Sequence, residues 1–259
     1  MSIHYLRLEI VRILRDPKYL ALAVLAPIGF YLLFATIFGG GPTPPGELDA
    51  RTEIMVAMAA YGGIWAVLST TGPRISEERQ VGWFDQIRTM PVSAWQVLSA
   101  KVAASVLMAL PAIVLVCLTG AIVKGVALTP GQWVALVSSM WAGTVAFAAM
   151  GIAIGYAVGS DVAYALSYGL YTAMSALGGL FAPPAVLPDA MLTVARALPS
   201  YQLANLGWHI AAGEVPDLMS VVVLAAWTLG FAVIAFVAYR RPALSVLTRT
   251  RRHADKLAV

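Results

Sequence analysis

Six stretches of this chain run for 19 to 26 residues without a single Asp, Glu, Lys, Arg or His. They are Leu20–Phe38, Ile54–Pro73, Val102–Val123, Val134–Gly159, Val162–Phe181 and Leu218–Tyr239. The hydrocarbon core of a bilayer is about 30 Å thick and is crossed by about 20 helical residues rising about 1.5 Å each. The sequence therefore predicts an all-α integral membrane protein with six transmembrane helices. Composition agrees: charged residues make up 12% of the chain, where a soluble domain carries about 25%. The 60% of hydrophobic residues excludes a disordered coil. A lone cysteine, Cys117, excludes an internal disulfide framework.

The fourth and fifth stretches are separated only by Ser160 and Asp161. Fused, they would form a helix of 48 residues, about 72 Å long and more than twice the bilayer core. Gly159-Ser160-Asp161 has turn chemistry, and Ser160 or Asp161 is available to cap the next helix. Charge supports the division. With six spans, 14 of the 17 Lys and Arg residues share one side, leaving Arg51, Lys124 and Arg196 on the other. Fusion would leave a near-even 9 against 8. The positive-inside rule selects six spans with both termini cytoplasmic.

The rest of the chain fits around these spans as one transmembrane domain over 1–259. Residues 3–18 set Ile3, Leu6, Ile10, Ile13 and Leu14 near one helical face and Arg12, Arg15 and Asp16 on the other. That pattern predicts an interfacial helix, and the 19-residue stretch after it is longer than the apolar region of a cleaved signal. Gly39-Gly40-Gly41-Pro42 reads as a helix stop. Thr129-Pro130-Gly131-Gln132 has the cap and first-turn proline of a helix start. The apolar segment 182–217 predicts short extracellular helices between spans five and six.

The missing charges limit the chemistry. An ion-driven carrier keeps an ionisable group at depth, an intramembrane protease needs a nucleophile or paired carboxylates there, and a voltage sensor needs stacked Arg. Asp161 lies at a predicted turn, where it reads as a solvated cap. No G-x-x-x-x-G-K-[ST] phosphate loop occurs, and 74–101 and 182–217 are too short to fold a nucleotide-binding domain. Work done by this chain must be driven through another polypeptide. The sequence assigns it no catalytic residue, cofactor or metal site.

The 74–101 loop is the candidate contact. Trp83, Phe84, Ile87 and Met90 follow helical spacing on one face, with Glu78, Asp85, Gln86 and Arg88 across it. Pro91 breaks the helix, and Ser93 with Gln96 forms a capping-box pattern before the third span. The run Ile75-Ser76-Glu77-Glu78-Arg79-Gln80-Val81-Gly82, then Asp85, Thr89-Met90-Pro91-Val92-Ser93 and Lys101, resembles the loop of the type-2 permeases of ATP-binding cassette (ABC) transporters. Gly178-Gly179-Leu180-Phe181, Pro183, Leu187-Pro188, Leu198-Pro199 and Tyr201 resemble that family's motif between spans five and six.

The resemblance implies a half-transporter working as a homodimer or heterodimer of six-span units in a bacterial cell membrane. Each unit would dock on a separate cytoplasmic ATPase, present in two copies and holding ATP and Mg. It places Glu78, Arg79, Phe84, Asp85 and Arg88 in a coupling helix against that ATPase. Export of a drug or antibiotic is one reading and of a polysaccharide or lipid another. A membrane anchor or scaffold that binds a cytoplasmic partner through 74–101 stays open beside them, and the missing ionisable groups disfavour an ion-coupled carrier.

Other features carry lesser expectations. Gly151, Gly155 and Gly159 form a stripe for close helix packing, within the subunit or at a dimer seam. Pro27 and Pro111 permit kinks inside spans one and three. Tyr61, Trp65, Trp141 and Tyr168, with Tyr164 and Tyr171 beside the last on the fifth stretch, could line a path for an amphipathic substrate, or simply pack. The basic tail with Arg249, Arg251, Arg252 and Lys256 suits anionic lipid better than nucleic acid.

Overall fold

The computed structural model describes residues 20–41, 43, 46–82, 94–182 and 187–257, with Val11 and Pro17 in addition. Every regular element among the described residues is helical. A π-helical turn at Leu20–Leu25 leads into α1, Ala26–Ile37. Pro27 has no N–H to offer the preceding turn, which accounts for the altered hydrogen bonding there. The proline is packed: a Cβ added to Gly62 would come within 2.9 Å of Pro27 Cγ.

Three long helical segments follow. They are α2 at Ala50–Gln80, α3 at Ala94–Val123, and the pair α4, Pro130–Gly143, and α5, Val145–Ala157. Beyond them lie α6 at Ser160–Leu177, α7 at Asp189–Ala197, α8 at Pro199–Ala211 and α9 at Leu218–Leu257. The hub is α2, which packs on α1, α3, α5, α6 and α8. Its apolar window is 89% buried inside the chain, against 11% for Leu218–Tyr239. Leu229, Val233 and Phe236 of α9 are exposed, a face that lipid or another apolar surface must cover.

Helix occupies all six apolar stretches, but they are not equivalent. By length and composition, Ala50–Gln80, Lys101–Val123, Pro130–Ala157 and Leu218–Tyr239 suffice to cross a membrane. The first stretch is a shorter apolar helix, Ala23–Ile37. The fifth, α6, has 18 residues, about 27 Å at the usual rise, and Ser160, Asp161, Ser167, Thr172 and Ser175 make it more polar. The fourth is interrupted: α4 ends at Gly143 and α5 begins at Val145, with the Thr144 hydroxyl between them donating to Trp141 O at 2.6 Å. Gly143 at that break lies against Leu203 of α8.

The turn around residue 159 differs from expectation in its cap. α5 ends at Ala157, Val158 and Gly159 are extended, and α6 starts at Ser160 with Gly159 as its N-cap. Neither Ser160 nor Asp161 caps the helix; the Ser160 hydroxyl donates to Gln80 Oε1 at 2.6 Å instead. A partner across the bundle outcompetes the local bond. Thr129 and Gln132 do form the expected capping box, and 182–217 contains the two short helices α7 and α8. The last helix passes Tyr239 and continues to Leu257, through Arg, Ala and Leu residues that favour helix. The expected interfacial helix at 3–18, the Trp83–Met90 amphipathic face and the Ser93 cap lie outside the described residues.

Candidate coupling site and aromatic seam

The last turns of α2 carry the first half of the loop motif. Gly82 stops the helix with φ +72, a left-handed conformation that glycine adopts without steric cost. Just before it, Arg79 Nη1 donates to Gly155 O at 2.8 Å and Tyr156 O at 2.7 Å. Its guanidinium lies 5.6 Å from the centre of the Tyr156 ring. The last carbonyls of a helix lack intrahelical partners and carry partial negative charge, so Arg79 closes the end of α5. Ser76 Oγ adds a bond to Val158 O at 2.8 Å. Ser76, Arg79 and Gln80 are three and four residues apart, hence on one face of α2. Together they hold the α5–α6 junction.

Glu78 turns elsewhere, since successive helical residues point about 100° apart. Its Oε1 lies 2.7 Å from Lys101 Nζ on α3, with the two side chains 13% and 4% exposed. Glu78 Oε2 is buried with no hydrogen-bond partner among the described residues. Such a pair resists separation, because removing either partner strands a buried charge. Of the residues assigned to the coupling helix, Glu78 and Arg79 therefore sit in α2 and face into the bundle. Phe84, Asp85 and Arg88 lie outside the described residues.

Two glycines of the stripe, Gly151 and Gly155, lie on α5 and face the same helix; Gly159 lies past the end of α5, in extended backbone. A Cβ on Gly151 would collide with Thr71 Oγ1, and one on Gly155 would lie 2.8 Å from both Gly72 O and Ile75 Cβ. Gly159 approaches Gln80, where an added Cβ would be 3.2 Å from Nε2. Backbone-to-backbone approach of this kind needs small residues. It is what brings the α5 carbonyls within reach of Arg79.

Three of the four aromatic residues singled out for a substrate path meet between α2 and α6. The Trp65 and Tyr168 ring centres are 5.6 Å apart. Tyr171 links them onward, 5.0 Å from Trp65 and stacked 4.6 Å from Tyr61. Tyr61 then meets Phe181 at 5.1 Å and Phe30 at 6.0 Å. Trp141 does not join them; its Nε1 donates to Val106 O at 2.7 Å between α4 and α3. Tyr171, one turn after Tyr168 and grouped with it by the sequence, thus joins the same seam. Within this seam Trp65 Nε1, Ser167 Oγ and Ser175 Oγ are buried without hydrogen-bond partners among the described residues. No group of three or more His, Cys, Asp or Glu suited to a metal occurs among the described residues.

Comparison with known proteins places this geometry. The chain is similar to a protein of Bacillus subtilis (strain 168) named "Putative transport permease YvfS", at 27% identity over 223 residues, covering 86% of this chain and 90% of that one. The ABC-2 type transporter family matches residues 4–207, a range that contains the α2 clamp, the glycine stripe and the aromatic seam. With well over half of its length matched, the chain belongs to the ABC-2 type transporter family of membrane permeases.

Proposed function

We propose that the chain is the membrane-spanning half of an ATP-driven exporter for a hydrophobic or amphipathic small molecule. It crosses the membrane six times with both termini in the cytoplasm, pairs with a second six-span permease, and is driven by two copies of a separate ABC ATPase. The observation that carries this reading is the clamp before the loop. Glu78 binds α3 through Lys101, while Arg79 binds the end of α5. A push delivered to the loop at 83–93 would then move α2, α3 and α5 as one body. The seam between α2 and α6 would shear, and its buried unpaired polar groups would meet solvent or substrate. Rigid bodies rocking around a fixed path are a known form of transporter motion.

Phe84, Asp85 and Arg88 are the side chains we assign to the ATPase surface itself, and Glu78 and Arg79 transmit the push. The test is association of the full chain with its ABC ATPase in proteoliposomes. Phe84→Ala and Arg88→Ala are expected to weaken association and lower ATP hydrolysis in the complex, with the permease's own melting temperature unchanged. Normal association in both variants would overturn the docking assignment and favour a scaffold that binds its partner elsewhere.

A further inference from the structure

The helix α2 ends at the 74–101 loop, so its start lies at the opposite end of the bundle, with the ends of α1 and α3. There two basic side chains from different segments meet the end of α1. Lys124, just past α3, donates from Nζ to Thr36 Oγ1 at 2.6 Å. That hydroxyl donates in turn to Leu32 O at 2.6 Å, which leaves its lone pairs to the ammonium. One turn further on, Arg51 of α2 donates from Nε to Gly39 O at 2.9 Å. Gly39 admits the arginine stem, since a Cβ there would lie 2.6 Å from Arg51 Cγ.

Both acceptors are uncharged. Among the described residues Lys124 uses one of its three N–H groups and Arg51 one of its five. Glu47, Asp49 and Glu53 are close to Arg51 in sequence, yet neither base is ion-paired among the described residues. A Cβ added to Gly40 or Gly41 would meet nothing within 4 Å, so the chain beside the bases is open. The last two turns of α1 and α3 expose Leu33, Ile37, Leu118 and Ile122.

We propose that this end of the bundle binds an anionic phospholipid, with its phosphate on Lys124 and Arg51 and its acyl chains on the exposed side chains of α1 and α3. Phosphate oxygens accept charge-assisted hydrogen bonds from an ammonium, and bidentate ones from a guanidinium. The neutral acceptors position both bases without cancelling their charge. A free anion would engage the bases alone. The large apolar side chains next to them need hydrocarbon over them, and a lipid meets both demands at once. Long basic side chains suit that level of a bilayer, because their stems lie on apolar surface while their charge reaches the headgroups. The inference concerns which lipid sits here and stands apart from the export reading.

The test uses the full chain in nanodiscs of mixed phosphatidylglycerol and phosphatidylcholine, with a trace of a photoreactive analogue of each lipid in turn. Mass spectrometry measures crosslinks within 30–41 and 113–126, and the readout is the ratio of phosphatidylglycerol to phosphatidylcholine labelling. The ratio should exceed one in the parent and fall about fivefold in Lys124→Gln and in Arg51→Gln, the scale of one base at an anionic surface. The double variant should approach one. Lys124→Arg, which keeps the charge, should keep the preference, and Arg196→Gln in α7 should leave it unchanged. Melting temperature reports the fold of each variant. A parent ratio of one, an unchanged ratio in the folded double variant, or an equal fall in Arg196→Gln overturns the assignment. Inorganic phosphate at matched ionic strength should not lower the ratio; a fall would identify the free ion as the occupant and overturn the lipid. No transport is read, so failure here leaves the export proposal untouched.

Discussion

Lys101 Nζ stands 2.7 Å from Glu78 Oε1, across 23 residues of sequence, and joins α3 to the last turns of α2. The contact lies beside the Arg79 bonds to the end of α5. Two adjacent residues of one helix thus fasten it to two others. The link between loop and membrane helices is made by charges directed inward.

Removing one partner of the pair should cost more than removing both. Lys101→Met leaves the Glu78 carboxylate buried and uncompensated, a change worth about 3–5 kcal/mol. The melting temperature of the purified chain should fall clearly. Adding Glu78→Gln to Lys101→Met should restore most of the loss, because the stranded charge is gone. A double variant as unstable as the single would show that the pair is not the source.

Arg79→Ala should loosen the end of α5 locally. Two charge-assisted bonds are lost, each worth about 1.5–3 kcal/mol, and the carbonyls of Gly155 and Tyr156 are uncovered. Hydrogen exchange by mass spectrometry should show faster exchange at the α5–α6 junction, around residues 155–163, than in α8. Exchange unchanged there, or raised evenly over the chain, would argue against a local clamp.

The glycines of α5 and α6 provide a matched contrast. Gly151→Ala forces a methyl into Thr71, whose hydroxyl already donates to Val67 O at 2.8 Å. Such overpacking costs about 1–3 kcal/mol. Gly169 of α6 has nothing within 4 Å of an added Cβ, so Gly169→Ala should be neutral or stabilise by about 1 kcal/mol through helix propensity. Thermal melting of the two variants decides it, and equal effects would contradict the packing.

How much of this was legible in the sequence follows from the range of each interaction. The apolar stretches and the Thr129–Gln132 cap depend on residues close in the chain, and helices stand at all of them. Arg79 and Gly155 are 76 residues apart, and no periodicity announces that one will close the other's helix. The Ser160 cap failed for the same reason, since Gln80 is 80 residues away. Trp65 and Trp141 are alike in type and in apolar setting; only the neighbouring helix makes one a seam residue and the other a strut to Val106. The spacing of Tyr168 and Tyr171 was readable, but their partner Trp65 was not. Four of the six stretches are independently long and apolar enough to span. For α1 and α6 the expectation of a crossing rests on charge placement rather than on length.

The start of α9 should be sensitive to acid in a defined direction. Asp217 caps it: Met219 N–H donates to Oδ1 at 3.1 Å, Ser220 N–H to Oδ2 at 3.2 Å, and the Ser220 hydroxyl to Oδ2 at 2.9 Å. Burial works to raise this carboxyl's pKa, but the Ser220 hydroxyl, the two backbone N–H groups and, more weakly, His209 hold it below the ordinary value of 3.8. A group whose folded-state pKa is depressed stabilises the fold fully above its unfolded value, and that contribution fades as pH falls through the folded value. Asp217→Ala should therefore lower stability by about 1 kcal/mol at neutral pH, as for a lost N-cap. The gap between variant and parent should hold as the pH drops towards the ordinary carboxylate range and close only below it. Melting curves of both proteins across that range give the comparison; a gap that widened on acidification would reverse the sign and remove Asp217 as the cap.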